Sequence, residues 1–187
     1  MDKIRAAITG IGAFLPEYRL TNEELSTWVE TSDEWIMQRI GIKERRIMKE
    51  EGLATSDMGA AAVKQLLEKT GTKPEEIELL ICSTITTDSQ LPASANLINY
   101  KAGLINAWGF DLNAACSGFV FALTPGAKFI ESGQYKKVIV LGADMMSAIT
   151  NYKDRTTCPL FGDGAAAVLL EPTTEDLGVI DHINRVD

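Results

Sequence analysis

The sequence of 187 residues has one histidine, three cysteines and no long apolar run. Its cysteines, Cys82, Cys116 and Cys158, are widely spaced and follow no metal-ligand pattern, which argues against a disulfide scaffold and indicates a reducing compartment. No apolar run approaches the ~20 residues that a membrane helix needs. The apolar stretch near the N-terminus is too short for the core of a signal peptide. We therefore expect a cytoplasmic protein with no membrane partner.

The charge of the chain bears on its partners. A net charge of −8 argues against nucleic acid as the main partner. The basic residues are nevertheless uneven, because five of them crowd into 11 positions: Arg39, Lys43, Arg45, Arg46 and Lys49. Such a patch could meet a phosphate-rich ligand or an acidic carrier protein. A solvated charged turn is the other interpretation of these residues.

Composition and periodicity together indicate the fold class. A hydrophobic content of 45% and a charged content of 24% are typical of one soluble globular domain with a sizeable core. Strands alternate with helices, and the strands predicted at 77–83 and 137–142 are largely apolar. This pattern predicts an α/β protein whose mainly parallel sheet is covered by helices on both faces. The last strand is predicted at 178–186 and contains His182.

Cys116 lies in the most informative stretch of the chain. A short apolar strand predicted at 107–112 leads to an almost wholly apolar helix that begins near Cys116 and looks buried on all sides. At a helix start, unpaired N–H groups and the helix dipole stabilise thiolate over thiol. The neighbouring side chains are small and leave room for a substrate: Ala114, Ala115, Ser117 and Gly118. A buried structural cysteine is the alternative, since reactivity also needs a base and access.

A second candidate site lies on the helix predicted from 31 or 32 to a stop before Gly41. Trp35 and Arg39 are four residues apart there, so their side chains share one helical face. An aromatic plate beside a guanidinium could bind the base and phosphates of a nucleotide. The same two residues could instead form only a structural cation–π pair.

Four motifs carry a resemblance to a known family. Residues 113–119, NAACSGF, resemble the nucleophile motif of the thiolase-fold condensing enzymes. Three further stretches resemble the initiating branch of these enzymes, the β-ketoacyl-acyl-carrier-protein synthase III family: 10–16 (GIGAFLP), 31–45 (beginning TSDEWI) and 161–166 (FGDGAA). They occur in the order and at the spacing of the family, and the similarity covers essentially the whole chain.

The resemblance implies a fold and a reaction. It implies that residues 1–187 form the N-terminal half of a thiolase-like α/β fold, with a mixed, mainly parallel sheet and a buried nucleophile helix. Cys116 would receive the acyl group of an acyl-CoA primer. Condensation with malonyl-acyl-carrier-protein, with loss of CO2, would then give 3-oxoacyl-acyl-carrier-protein. Coenzyme A thioester is a substrate in this scheme, so neither a cofactor nor a metal is expected, and a homodimer is implied.

The resemblance also assigns roles to individual residues. Thr31, Trp35 and Arg39 would form one wall of a coenzyme A groove, and Arg155 the opposite wall. Phe161 would line the pantetheine tunnel, while Gly162, Asp163 and Gly164 would shape a tight turn. Leu91 stands where some members have phenylalanine, a residue that reaches the acyl pocket of the partner subunit, so we expect primers longer than acetyl to be accepted.

The main departure from the family is an absence. The family catalyses with cysteine, histidine and asparagine, and its histidine and asparagine lie in the second half of a longer chain. His182 matches no catalytic motif, and Asn99, Asn106 and Asn113 do not match the catalytic asparagine. We therefore expect the C-terminal half to come from a second segment or chain. Two alternatives remain: a related condensing enzyme or acyltransferase of secondary metabolism, and a catalytically silent half-domain for dimerisation or carrier binding.

Overall fold

The computed structural model describes residues 4–185. Its strands are β1 (Arg5–Phe14), β2 (Tyr18–Thr21), β3 (Glu44–Ile47), β4 (Leu79–Ser83), β5 (Trp108–Leu112), β6 (Val138–Met145) and β7 (Asp163–Thr173). Its α-helices are α1 (Asn22–Ser26), α2 (Asp33–Ile40), α3 (Thr55–Thr70), α4 (Ser94–Ala102) and α5 (Gly118–Glu131). No helix among these residues is long and apolar enough to cross a membrane.

Five strands form the main sheet, in the order β1-β7-β6-β4-β5. Strand β4 pairs in parallel with both β5 and β6, whereas β7 runs antiparallel between β6 and β1. Four strands therefore point in one direction and β7 in the other. The predicted α/β class with a mixed, mainly parallel sheet is confirmed. Strand β5 is only partly buried, because it lies at the edge of the sheet.

Helices cover both faces of this sheet. Leu80 and Cys82 of β4 belong to the apolar cluster beneath α3 and α4, whereas Leu79 and Ile81 belong to the cluster beneath α5. Residues 79–82 of the strand are all apolar because its alternating side chains enter two cores. Burying each such leucine or isoleucine contributes roughly 1.5–3 kcal/mol to stability.

The first strand differs from its predicted form. The sequence predicts a first strand at 4–11 that Gly10 and Gly12 close, but β1 continues through both glycines to Phe14. A Cβ added at Gly12 would lie 2.2 Å from the carbonyl oxygen of Ala62, and one at Gly10 would lie 2.3 Å from Cγ2 of Thr70. The glycines therefore allow α3 to approach β1 closely, and they do not end the strand.

Helix α5 also differs from the prediction that it is buried on all sides. The buried positions form one face, which packs on the sheet: Gly118, Ala122, Gly126, Ala127 and Ile130. The other side is open, and Val120 is 55% exposed, because no described element packs over it. An apolar composition all round the helix did not distinguish the covered face from the open one.

A smaller unit packs beside the sheet. The hairpin of β2 and β3, with α1 and α2, buries a cluster that includes Leu20 and Ile36. Helix α2 begins and ends as predicted, since the Ser32 hydroxyl accepts from the Trp35 amide at 3.1 Å and Gly41 has a φ of 70°.

The chain beyond β7 has no strand up to residue 185, so the predicted strand at 178–186 is wrong for its described part, and Val186 lies outside the described residues. The segment is held to β1 by one main-chain hydrogen bond, from the amide of Val179 to the carbonyl oxygen of Ala6 at 2.8 Å. His182 is exposed on this segment. A single bond of this kind does not make a strand.

Candidate active site

Cys116 lies at the carboxyl end of the parallel strands, where β5 turns into α5. A short 3₁₀ turn, Ala115–Ser117, runs directly into the helix, and the cysteine side chain is exposed. Ala115 has a φ of 47°, a left-handed conformation that costs an L-residue about 1–2 kcal/mol. Backbone strain of this kind is concentrated at functional sites. The strained turn thus leaves the Cys116 side chain accessible from solvent at the start of α5, and its role as the nucleophile stays a prediction.

Close packing fixes the start of α5 behind the cysteine. A Cβ added at Gly118 would lie 2.0 Å from Oγ of Ser83 at the end of β4. Only glycine allows the helix to approach the strand this closely, so the first turn of α5 is held against the sheet.

The other two cysteines are poor candidates for chemistry. Cys82 and Cys158 are both fully buried. Burial raises the pKa of the Cys82 thiol well above its ordinary value, and nearby Asp111 adds to the rise. Burial likewise raises the pKa of Cys158. Thiolate is the reactive form, so both residues stay inert beside an exposed Cys116.

Two aspartates near the carboxyl ends of β5 and β6 anchor loops. The Asp111 carboxylate accepts from the amides of Ser94 and Ala95, at 2.7 and 2.8 Å, and so caps the start of α4. Asp144 accepts from the amide of Ile85 at 2.8 Å and holds the loop after β4. Neither role was predicted from the sequence, although an aspartate at a strand end just before a turn is a usable signal.

The structure brings the predicted groove residues together. The Arg39 guanidinium carbon lies 4.9 Å from the centre of the Trp35 ring, and that of Arg155 lies 5.3 Å from the same ring. Arg155 comes from the segment before β7 and also approaches Glu30 at 3.8 Å. Thr31 is half-buried just before α2. Two cations therefore share one aromatic plate, an arrangement suited to a base with phosphates.

The remaining predicted residues lie apart from this cluster. Phe161 is half-buried just before β7, beside Gly162, whose added Cβ would lie 3.0 Å from the carbonyl oxygen of Arg46. Leu91 is 87% exposed in the loop between β4 and α4. That loop is firmly held, because Asp88 accepts from the amide of Ser56 at 2.9 Å. Leu91 is therefore an exposed apolar side chain on a loop that is tied to the start of α3.

Comparison with known proteins decides the family. The profile of 3-oxoacyl-[acyl-carrier-protein] synthase III matches residues 110–184. The chain is 57% identical to β-ketoacyl-[acyl-carrier-protein] synthase III 2 of Bacteroides thetaiotaomicron and 54% identical to the synthase III of Phocaeicola vulgatus, in both cases over 100% of the chain and 56% of the relative. The chain belongs to the β-ketoacyl-acyl-carrier-protein synthase III family. It spans about half the length of these relatives.

Solved structures agree with the synthase III assignment. The synthase III of Aquifex aeolicus superposes with a TM-score of 0.87 at 43% identity, covering 91% of this chain and 55% of that chain. The priming β-ketosynthase of the R1128 polyketide pathway also superposes with a TM-score of 0.87, at 37% identity over 91% of this chain and 51% of its own. The thiolase-like α/β fold predicted from the sequence is thus confirmed.

The basic patch predicted at 39–49 is only partly present at the surface. Arg45 is only 3% exposed, and burial lowers its pKa. Arg46 donates to the carbonyl oxygen of Pro16 at 2.8 Å, and the Lys49 ammonium lies 4.5 Å from the Tyr18 ring. Arg39, Lys43 and Lys49 are exposed. Sequence spacing along β3 could not show that alternate side chains point inward.

Asp163 of the synthase III stretch FGDGAA is also placed differently from its prediction. It does not shape a tight turn but begins β7, where it is buried. Its carboxylate accepts from the amides of Ser147 and Met48, both at 2.8 Å. Asp163 therefore ties the end of β3 and the turn after β6 to the sheet, and its role in the motif is structural.

Proposed function

We propose that this chain carries the acyl-accepting half of a condensing enzyme that initiates fatty acid synthesis. An acyl-CoA primer loads Cys116, and the acyl group is then condensed with malonyl-acyl-carrier-protein to give 3-oxoacyl-acyl-carrier-protein and CO2. The observation that carries the proposal is the exposed Cys116 in its strained turn at the carboxyl end of the sheet. The substrates are thioesters, so the proposal needs no resident cofactor or metal.

The loading step is an acyl transfer between sulfur atoms. The Cys116 thiolate attacks the thioester carbonyl carbon, the bond to the coenzyme A sulfur breaks, and coenzyme A leaves as thiolate. A cysteine suits this step because it is nucleophilic near neutral pH and is a good leaving group afterwards. The exposed position of Cys116 at the start of α5 leaves its sulfur accessible to the thioester.

The condensation step needs groups beyond Cys116. Loss of CO2 from the malonyl unit leaves an electron pair as an enolate, which attacks the acyl carbon and returns the thiolate of Cys116. Fixed hydrogen-bond donors must stabilise that enolate. No residue of this chain matches the histidine and asparagine of the family motif, so we assign these donors to a further segment or chain of the intact protein.

The clustered tryptophan and arginines support coenzyme A as the carrier of the primer. Trp35 offers a flat face for a base, and Arg39 and Arg155 offer guanidinium groups for phosphates. We expect Arg39→Ala in the intact protein to raise the KM for acetyl-CoA by a factor corresponding to about 1.5–3 kcal/mol, the value of a charge-assisted hydrogen bond. Steady-state kinetics would measure this change.

A suitable control for Arg39→Ala is Arg19→Ala, which removes another exposed arginine. Arg19 pairs with Glu44 at 2.9 Å on the hairpin and is not one of the groove residues. We expect its KM to match that of the unaltered protein. An unchanged KM in Arg39→Ala would remove Arg39 from the site.

Leu91 supports a primer longer than acetyl and a dimeric enzyme. Its side chain points outward from a held loop, as expected of a residue that completes a pocket in a second copy of the chain. Leucine is smaller and more flexible than phenylalanine. We expect Leu91→Phe to shift the preferred primer towards acetyl, measured as relative rates across a series of acyl-CoA chain lengths. A strict acetyl preference in the unaltered protein would contradict this inference.

A related condensing enzyme of secondary metabolism is the second candidate. The R1128 priming β-ketosynthase superposes as well as the Aquifex synthase III, although its identity is lower, 37% against 43%. The two candidates share the loading step on Cys116 and differ in the acceptor. Assaying malonyl-acyl-carrier-protein of fatty acid synthesis against a polyketide carrier protein would separate them.

A further inference from the structure

Asn22 is a buried side chain whose role the groove residues do not explain. It is 2% exposed at the start of α1. Its amide nitrogen donates to the Asp33 carboxylate at 2.7 Å and to the carbonyl oxygen of Ile42 at 2.8 Å. Asp33 is the first residue of α2, and Ile42 follows its C-cap, Gly41. A single amide therefore holds both ends of the helix that carries Trp35 and Arg39.

Arg45 continues this connection across the molecule. Its Nη1 donates to the Asn22 side-chain oxygen at 2.5 Å, and its Nε donates to the carbonyl oxygen of Pro159 at 2.6 Å. Pro159 belongs to the segment that carries Arg155 and Phe161. Arg45 has no ion-pair partner among residues 4–185. Its guanidinium fork is instead shared between α1 and the segment before β7.

These bonds join the two walls of the groove. One wall is α2, with Trp35 and Arg39, and the other is the segment with Arg155. Burying an arginine costs free energy unless its donors are hydrogen-bonded, and two of the three guanidinium nitrogens of Arg45 have partners, whereas Nη2 has none among residues 4–185. The rigid fork of arginine can hold two acceptors in a fixed relation, which the point charge of lysine cannot.

We propose that Asn22 and Arg45 are positioning residues of the coenzyme A groove, which set the distance between Trp35 and Arg155. The inference rests on the proposed function, because it requires that the groove bind the nucleotide part of coenzyme A. Neither residue needs to touch the ligand. Both act by holding the ends of α2 and the segment before β7 in register.

The test uses Asn22→Asp in the intact protein. Aspartate keeps the size of asparagine and an acceptor for Arg45, but it removes both donors and places a carboxylate against Asp33. We expect kcat/KM for acylation of Cys116 by acetyl-CoA to fall on the order of tenfold, mainly through KM, because the aligned contacts are lost. Acylation by acetyl-pantetheine, which lacks the nucleotide, should be unchanged. Mass spectrometry of the acyl-enzyme gives both rates.

Two further variants sharpen the test. Arg45→Lys keeps the charge but not the fork, and we expect the same selective loss for acetyl-CoA. Asn106→Asp is the matched control, since Asn106 donates to the carbonyl oxygen of Glu75 at 2.8 Å near the amino end of β5. We expect it to leave both rates unchanged.

Combination with Trp35→Ala decides between positioning and general destabilisation. If Asn22 acts through α2, Asn22→Asp should have little further effect once Trp35 is removed. Equal losses for acetyl-CoA and acetyl-pantetheine, no loss for either, or full additivity with Trp35→Ala would overturn the inference. Failure of the groove itself would look different: the unaltered protein would then show no preference for acetyl-CoA over acetyl-pantetheine.

Discussion

Iodoacetamide should label Cys116 almost exclusively, and acyl-CoA should protect it. Cys116 is exposed, whereas Cys82 and Cys158 are fully buried and burial raises the pKa of both thiols. A buried thiol reacts only when the fold opens locally, so an opening that costs about 3 kcal/mol slows labelling roughly 100-fold. Peptide mapping of the intact protein after timed alkylation measures the three rates. Equal labelling of all three cysteines would contradict the assignment.

Replacing Cys116 and Cys158 one at a time should show which cysteine carries the acyl group. Cys116→Ala should abolish the acyl-enzyme and change the free energy of unfolding by about 0.5 kcal/mol or less, because its side chain is exposed. Cys158→Ala is the matched control. It should retain the acyl-enzyme but lower stability, since Cys158 packs in the cluster with Leu20 and Ile36. Acyl-enzyme on Cys116→Ala would place the nucleophile elsewhere.

Much of the fold could be predicted because its central elements carry local signals. Strands β4 and β6 enter two cores, so nearly every residue in them is apolar. The end of α2 is marked by Gly41 in the left-handed conformation. The end of β1 could not be predicted in the same way. Gly10 and Gly12 resemble a turn locally, but they are required by α3, which follows more than 40 residues later.

Residues of the candidate site could be predicted where a family motif contains them. They could not be predicted where contacts between distant parts of the sequence determine the role of a residue. The resemblance identified Trp35 and Arg155, and in the structure the guanidinium carbon of Arg155 lies 5.3 Å from the centre of the Trp35 ring. Arg45 looked like part of a basic surface, but its bond to Pro159 spans 114 positions of the sequence. Asn22 has no local signature at all, since its partners lie 11 and 20 positions away.

The outer face of α5 is the feature that sequence patterning described least well, and it leads to the last prediction. Apolar residues around the whole helix indicated complete burial, but Val120 remains 55% exposed. Beyond α5, Ile11 and Ile149 are also exposed, by 61% and 59%. Extensive exposed apolar surface favours association with another protein surface. Residues 1–187 expressed alone should therefore aggregate or pair, as light scattering would show.

The same 187 residues should fail to condense malonyl-acyl-carrier-protein by themselves. Cys116 and the start of α5 both lie within these residues, so slow acyl transfer to Cys116 should persist. No histidine or asparagine of this chain matches the family residues that would donate hydrogen bonds to the enolate. Each lost donor of this kind lowers the rate by a factor on the order of 10²–10³. The assay follows CO2 release from malonyl-acyl-carrier-protein, first with residues 1–187 alone and then with the remaining part of an intact relative added in trans. Addition should restore turnover to the unaltered chain but not to the Cys116→Ala chain. Full turnover by a soluble, monomeric 1–187 chain would show that the donors lie within it and that the catalytic set is wrongly assigned.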